Sequence, residues 1–286
     1  MSVSKSILAV GFAAILIVTF VVGLYASPYI FPKAPEPTPK TTWDIVKSRG
    51  KIIVGCSPDY PPYEFLNETG GFAGFEVELT ELVAKRLNLT VEWKSMGFDL
   101  IIPEIQAKTI DLGVAGFSVT PKRMQVVQFT MPAIVAGRQY IMLQSRVAEL
   151  GITKVNSIED LLKYHLKWGT QVGSIFEAAL RDLINAGKLS ASDVKTYDDF
   201  MLLHEDLKRG VVDIQGGEDA VISLLRLEAE QKGEEPLVVV YNQPGYPVGF
   251  VANLDSDALV DQINIALAQL TYEGKIAALK AKWKFE

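Results

Sequence analysis

The chain has 286 residues and a formal net charge of −6; Lys5, Lys33, Lys40 and Glu36 all precede residue 42, so the remainder is more acidic still, at −8. That balance argues against nucleic acid as a partner, which needs a basic face. The single cysteine, Cys56, rules out an intrachain disulfide or a thiolate metal cluster, and His165 and His204 have no second His or Cys nearby, so neither metal, cofactor nor histidine catalysis is expected.

Residues 7–26 carry no charge and are long enough to cross a bilayer as a helix, and Lys5 ahead of them favours a cytoplasmic N-terminus. Residues 1–27 therefore read either as a retained membrane anchor or as a secretory signal cut near Gly23 or Ala26. A lipidated cysteine is excluded, because none lies near the end of the run. Both readings put the rest of the chain on the extracytoplasmic side, held at the membrane or released if cleaved. Residues 28–43 contain Pro28, Pro32, Pro35, Pro37 and Pro39, the composition of an extended, semi-rigid spacer. A spacer supports anchoring.

Residues 51–56 predict a first strand centred on Ile52, Ile53 and Val54, with Cys56 as a small buried hydrophobe. The stretch 57–65 holds Pro58, Pro61 and Pro62 and is an aromatic loop at that strand's C-terminal end. A polar turn over 67–74 leads to a helix over 75–87, a strand over 90–96, a helix over 98–107 and a strand over 111–115. Such β-α-β alternation predicts a parallel sheet with helices on both faces and ligands at the strands' C-terminal ends.

Residues 116–123, Gly-Phe-Ser-Val-Thr-Pro-Lys-Arg, follow the last of these strands. Ser118 or Thr120 suits an N-cap, Pro121 the first helical position, and Arg123 the first turn. Hydroxyls, free N–H groups and a guanidinium around one point suit an anion, since Arg grips a carboxylate with two parallel bonds.

Beyond residue 129 the pattern restarts. Strands are expected at 139–143, 166–170, 194–196, 211–214, 237–241 and 248–252, and helices at 157–163, 175–185, 198–208, 220–230, 256–272 and 274–283. Gly173-Ser174 and Gly216-Gly217-Glu218-Asp219 read as the turns that open two of these helices. Two β-α-β blocks of similar size imply two lobes with a cleft between them.

From about residue 51 to 283 the chain resembles the amino-acid-binding receptors of ABC importers, the family 3 extracytoplasmic solute-binding proteins. The resemblance is carried by residues 51–55, Tyr60-Pro61-Pro62-Tyr63, Gly74-Phe75-Glu76-Val77-Glu78-Leu79, 116–123, 128–132, 169–174, 210–213 and the tail 263–283. It implies an α/β, two-lobed periplasmic-binding-protein-like fold of type II. Lobe one would be residues 44–137 plus 246–286 and lobe two residues 138–245. Two crossing strands, near 138–143 and 238–241, would be the hinge. The closed, monomeric form would hold an amino acid in the cleft and dock on a membrane permease.

Carried over by position, Arg123 and Ser118 match the groups that take the ligand α-carboxylate, and Gly116 a carbonyl that accepts from the α-ammonium. Tyr60 and Phe98 match the aromatic walls, and Ser174 and Ile175 the second-lobe turn whose N–H groups reach the carboxylate. Ile175 stands where Thr is usual, so only its backbone serves. Gln171 matches a position facing the ligand side chain. Glu218 matches the acid that pairs with the ammonium, with Asp219 as its rival. An acid at the Ser57 position often marks relatives that take cationic side chains; Ser57 points instead to a polar uncharged one such as glutamine, although Asp59 and Glu64 lie nearby. Two other classes stand beside binding: a cyclohexadienyl dehydratase-like lyase, which needs a carboxylic acid placed as general acid, and a sensor input domain, disfavoured because the chain reaches Glu286 without a signalling module.

Overall fold

The computed structural model describes residues 20–21 and 40–285. Of the apolar N-terminal segment only Phe20 and Val21 fall among these; the rest of the anchor-or-signal reading, and nearly all of the proline spacer, lie outside the described residues. Among the described residues no helix is long and apolar enough to cross a membrane.

Residues from Thr41 onward form one unit. It begins with α1 (Thr42–Arg49), started by a reciprocal Thr41–Asp44 capping box and stopped by Gly50 in the left-handed conformation. Then follow β1 (Lys51–Cys56), β2 (Asp59–Tyr60), β3 (Glu64–Leu66), β4 (Phe72–Ala73), α2 (Phe75–Arg86), β5 (Thr90–Ser95), α3 (Phe98–Gln106) and β6 (Leu112–Val114). A short α4 (Pro121–Met124), β7 (Gln128–Phe129) and the long β8 (Ile134–Leu143) lead into the second half. That half comprises α5 (Gln144–Leu150), α6 (Glu159–Leu162), β9 (Trp168–Gln171), α7 (Ile175–Asn185), β10 (Val194–Tyr197), α8 (Phe200–Lys208), β11 (Ile214–Glu218), α9 (Asp219–Lys232) and β12 (Leu237–Val248). The chain then returns through β13 (Val251–Ala252) to α10 (Asp257–Tyr272) and α11 (Lys275–Trp283).

Two five-stranded sheets result, ordered β5-β1-β6-β13-β7 and β10-β9-β11-β8-β12. Strands β5, β1 and β6 are parallel, as the alternation requires, and so are β10, β9 and β11. Neither sheet is wholly parallel, contrary to expectation. The returning β13 adds antiparallel to β6 and β7, and β8 lies antiparallel to β11 and β12, because these strands carry the chain between the sheets instead of closing a β-α-β crossover. At the lobe-one end of this pair Val119 donates to the Pro247 carbonyl (2.8 Å) and Ala133 to that of Val248 (3.2 Å). The fold is thus two-lobed, with two long strands crossing between the lobes.

One large apolar core joins residues of both sheets, from Val54 and Leu112 to Ile141 and Leu203, and a smaller cluster flanks each sheet. Ile101, Ile105, Phe117 and Val251 pack beside the first, and Tyr140, Trp168, Phe176 and Leu180 on one face of the second. Gly113 in β6 is required by close approach: a Cβ there would stand 2.6 Å from the Ile101 and Val251 side chains. The proline-rich loop after β1 is more ordered than its composition implies, since β2, β3 and β4 pair as a small antiparallel sheet whose turn is tied by the Asn67 side chain. The strand expected at 211–214 begins only at Ile214 and runs through Glu218, so Gly216 and Gly217 are strand residues and not a helix-opening turn. Their lack of side chains answers a packing need: a Cβ on Gly216 would lie 2.2 Å from the Phe176 ring. Cys56 is fully buried, and His204 is buried against Gln215, consistent with structural roles.

Candidate functional site

Between the sheets lies a narrow cavity that, with its mouth, encloses about 450 Å³ of space between atoms. Its lobe-one wall comes from the loop after β1, from α3 and from the turn after β6. Its lobe-two wall comes from the C-terminal ends of β9 and β11 and the starts of α7 and α8. Strand ends meeting helix starts are where unpaired N–H groups concentrate.

Arg123 sits in the first turn of α4. Thr120 caps that helix by accepting from the Arg123 N–H (3.3 Å), and Pro121 takes the first position, so of the two cap candidates Thr120 serves. The guanidinium is buried over the faces of Phe98 and Phe117, which stack on each other 4.8 Å apart. It donates to the carbonyls of Ser118 (3.0 Å) and, across the cleft, Gly173 (3.2 Å). No carboxylate pairs with it among the described residues, and burial pulls its pKa down to about 10, so it remains a cation at neutral pH.

Glu218 ends β11 in the opposite wall and is buried. The Tyr60 hydroxyl donates to its carboxylate and in turn accepts from the Glu218 backbone N–H at 3.0 Å. Ser118 Oγ stands 3.5 Å from the other carboxylate oxygen. Burial, with a further contribution from the Asp219 charge, pushes the Glu218 pKa up to about 8. One buried cation on lobe one and one buried acid on lobe two thus face the same space without pairing to each other.

The remaining expected residues divide cleanly. Tyr60, Phe98, Gly116, Ser118, Gln171, Ser174 and Ile175 line the cavity together with Arg123 and Glu218. Gly116 has φ 56°, which favours glycine, and its N–H donates to the buried carboxylate of Glu76 (2.7 Å). Ser174 caps α7 with its side chain, accepting from Glu177, and so points its hydroxyl along the helix.

Two expected residues do not line the cavity. Asp219 turns away: its carboxylate accepts from the N–H groups of Gly137 (3.0 Å) and Ala220 (2.9 Å), tying β8 to α9. Ser57 lies behind the wall, and its hydroxyl donates to Asp59 (2.8 Å).

Conversely, Asp59, Glu64, Ala115, Phe176, Phe200 and Gly216 line the cavity without being among the expected site residues. Phe200 meets the Tyr60 ring edge-on at 4.6 Å. Glu64 is almost wholly buried, and its carboxyl meets the buried Glu76 carboxyl, to which it can donate when protonated. Burial and the neighbouring Glu76 and Asp59 charges hold its pKa well above the usual range. Asp59 is likewise raised, chiefly by burial. The site is acidic at one end and carries a lone guanidinium at the other.

The model for "Bacterial extracellular solute-binding proteins, family 3" matches residues 52–286. Among curated proteins, the L-cystine-binding protein TcyJ of Escherichia coli strain K12 is 27% identical over 239 residues, spanning 83% of this chain and 84% of that protein. Among solved structures, an ancestral arginine-binding protein bound to arginine superposes with a TM-score of 0.72 at 30% identity, covering 83% of this chain and 99% of the other. An ancestral arginine-binding protein bound to glutamine gives 0.71 at 31%, with the same coverage.

Proposed function

Because the chain belongs to the family 3 bacterial extracellular solute-binding proteins, we propose that it captures a polar amino acid outside the cytoplasm and delivers it to an ABC importer permease. The observation that carries this reading is a buried cation, Arg123, and a buried acid, Glu218, on opposite walls of one cavity and unpaired with each other. A zwitterion offers an anion to the first and a cation to the second, and each buried charge needs such a partner. The α-carboxylate would lie against Arg123 and the Ser118 and Ser174 turns, the α-ammonium against Glu218 and the Gly116 carbonyl. Its side chain would extend between Phe98 and Tyr60 towards Asp59, Glu64 and Gln171. The names of the relatives favour binding over turnover: they are binding proteins, for cystine and arginine, one of them seen with glutamine.

On this reading residues 44–137 with 246–286 and residues 138–245 open and close as two lobes about β8 and β12. The protein acts as a monomer, and residues 1–27 anchor it to the outer face of the membrane. Thermal denaturation of the chain with each of the twenty amino acids tests the central claim. A ligand at a hundred times its dissociation constant adds about 2.7 kcal/mol, which raises Tm by roughly 5–10 °C for a domain of this size. No shift with any of the twenty would overturn it.

A further inference from the structure

Asp59 lies on lobe one, at the start of β2, yet its bonds reach into lobe two. One carboxylate oxygen, Oδ2, accepts from the backbone N–H of Phe200 at 2.7 Å and from Gln171 Nε2 at 2.8 Å; the other, Oδ1, accepts from Ser57 Oγ at 2.8 Å. Phe200 is the first residue of α8, so its N–H has no partner within the helix and takes one from across the cleft. Gln171 Nε2 also stands 3.3 Å from the Asp198 carbonyl. Two acceptors therefore hold the amide of Gln171, and neither a carbonyl nor an oxygen already taking the Phe200 N–H can donate. A proton on Asp59, whose pKa burial raises, would sit on the oxygen facing Ser57 and would leave this arrangement intact. The Gln171 nitrogen must be the atom at Asp59. Both of its hydrogens are then used, and Oε1, an acceptor only, is left on the cavity side.

We propose that Asp59 is a positioning residue that sets the Gln171 amide, so that the side-chain end of the cavity presents a carbonyl oxygen and selects amino acids whose side chains end in an N–H donor. The inference rests on the amino-acid reading above and narrows it. A terminal amide, guanidinium or ammonium offers Gln171 Oε1 a donor; a thioether offers none, and a carboxylate would bring an anion and no donor to the end of the cavity that Asp59 and Glu64 line.

Glutamine and methionine are neutral and of similar length, so their affinity ratio reports donor recognition apart from net charge. Calorimetric titration of the full chain is expected to show glutamine bound at least about tenfold more tightly than methionine. Gln171→Met should erase this preference, and Asp59→Asn should cut it by most of that factor, because an asparagine can offer Gln171 a donor and release its amide to turn. The double variant should lose no more than Gln171→Met alone, the signature of two residues acting as one. A preference that survives in Gln171→Met overturns the proposal even if Asp59→Asn fails to fold. A preference unchanged in folded Asp59→Asn overturns the role of Asp59 while leaving amino-acid binding in place. If none of the twenty amino acids shifts Tm of the wild-type chain, the amino-acid reading itself falls, and this assignment with it.

Discussion

Replacing Arg123 by methionine isolates the guanidinium, because the thioether keeps the stem that packs over Phe98 and Phe117. The guanidinium has five N–H donors. Two serve the Ser118 and Gly173 carbonyls, which leaves enough for a two-pronged grip on a carboxylate. A hydrogen bond to a charged group contributes about 1.5–3 kcal/mol, so losing two costs ~3–6 kcal/mol of binding. At 1.4 kcal/mol per decade that is an affinity loss of at least ~100-fold. Stability should move the other way. The cation is buried with no carboxylate partner among the described residues, and removing it relieves a desolvation cost, so Tm of the ligand-free chain should hold or rise. Titration calorimetry against the amino acid found by thermal screening gives the first quantity, and differential scanning calorimetry the second. An affinity within about fivefold of wild type, from a variant that melts normally, would place the α-carboxylate elsewhere and refute the charge argument.

The other predictions follow from the same geometry. Glu218→Gln keeps the shape that meets Tyr60 and removes the charge that meets the ammonium, so titration should show affinity falling by roughly 2–5 kcal/mol with Tm unchanged or higher. Asp219→Asn should do the reverse, lowering Tm through its bonds to Gly137 and Ala220 with affinity nearly constant; if it instead abolishes binding, the acid roles are exchanged. Glu218 titrates near 8 in the folded chain and near the ordinary carboxylate value when unfolded. Its contribution to stability is therefore complete below the unfolded value and is lost as pH rises through 8. Melting of the ligand-free chain should accordingly drop between pH 5 and 8, with Glu76, raised to about 7 mainly by burial, acting in the same direction. Glu218→Gln should flatten that slope. Gly216→Ala drives a methyl to 2.2 Å from the Phe176 ring and should destabilise the chain by about 1–3 kcal/mol in denaturant titration; a neutral effect would mean Phe176 swings aside freely.

Residues whose chemistry is local are legible in the sequence itself. Thr120, Pro121 and Arg123 announce a capped helix start within four positions, and the structure keeps each role. Glu218 and Asp219 are harder. A Gly-Gly pair reads as punctuation, so the stretch resembles a turn, whereas β11 runs through it because Phe176 needs the space above Gly216. Once Glu218 is a strand residue and Asp219 the first of a helix, the two side chains part, and only Glu218 lines the cavity. Asp59 leaves no local trace. Its partners Gln171 and Phe200 lie 112 and 141 residues away, and no pattern within the loop distinguishes it from Ser57, which serves it. The acid sought at the Ser57 position stands two residues later, and with Glu64 it weakens the argument from Ser57 for an uncharged ligand side chain.

That relocation changes what the site selects. With Arg123 answered by an α-carboxylate and Glu218 by an α-ammonium, the charges of a bound zwitterion are matched, and Asp59 with Glu64 remains at the other end of the cavity. Burial raises both pKa values, that of Glu64 well above the usual carboxylate range. A ligand side chain bearing a positive charge would favour the ionised form of Glu64 and release its proton; one ending in a neutral amide would leave it in place. Arginine and glutamine should therefore differ in proton linkage even where both bind. Calorimetry at pH 7 in two buffers of unlike ionisation enthalpy measures it directly. Arginine should release more protons than glutamine, the excess coming from Glu64, since the Glu218 step is common to both. In Glu64→Gln the excess should shrink. Equal release for the two ligands would mean that the acids at this end do not meet the side chain, and that the cavity recognises little beyond the α-carbon.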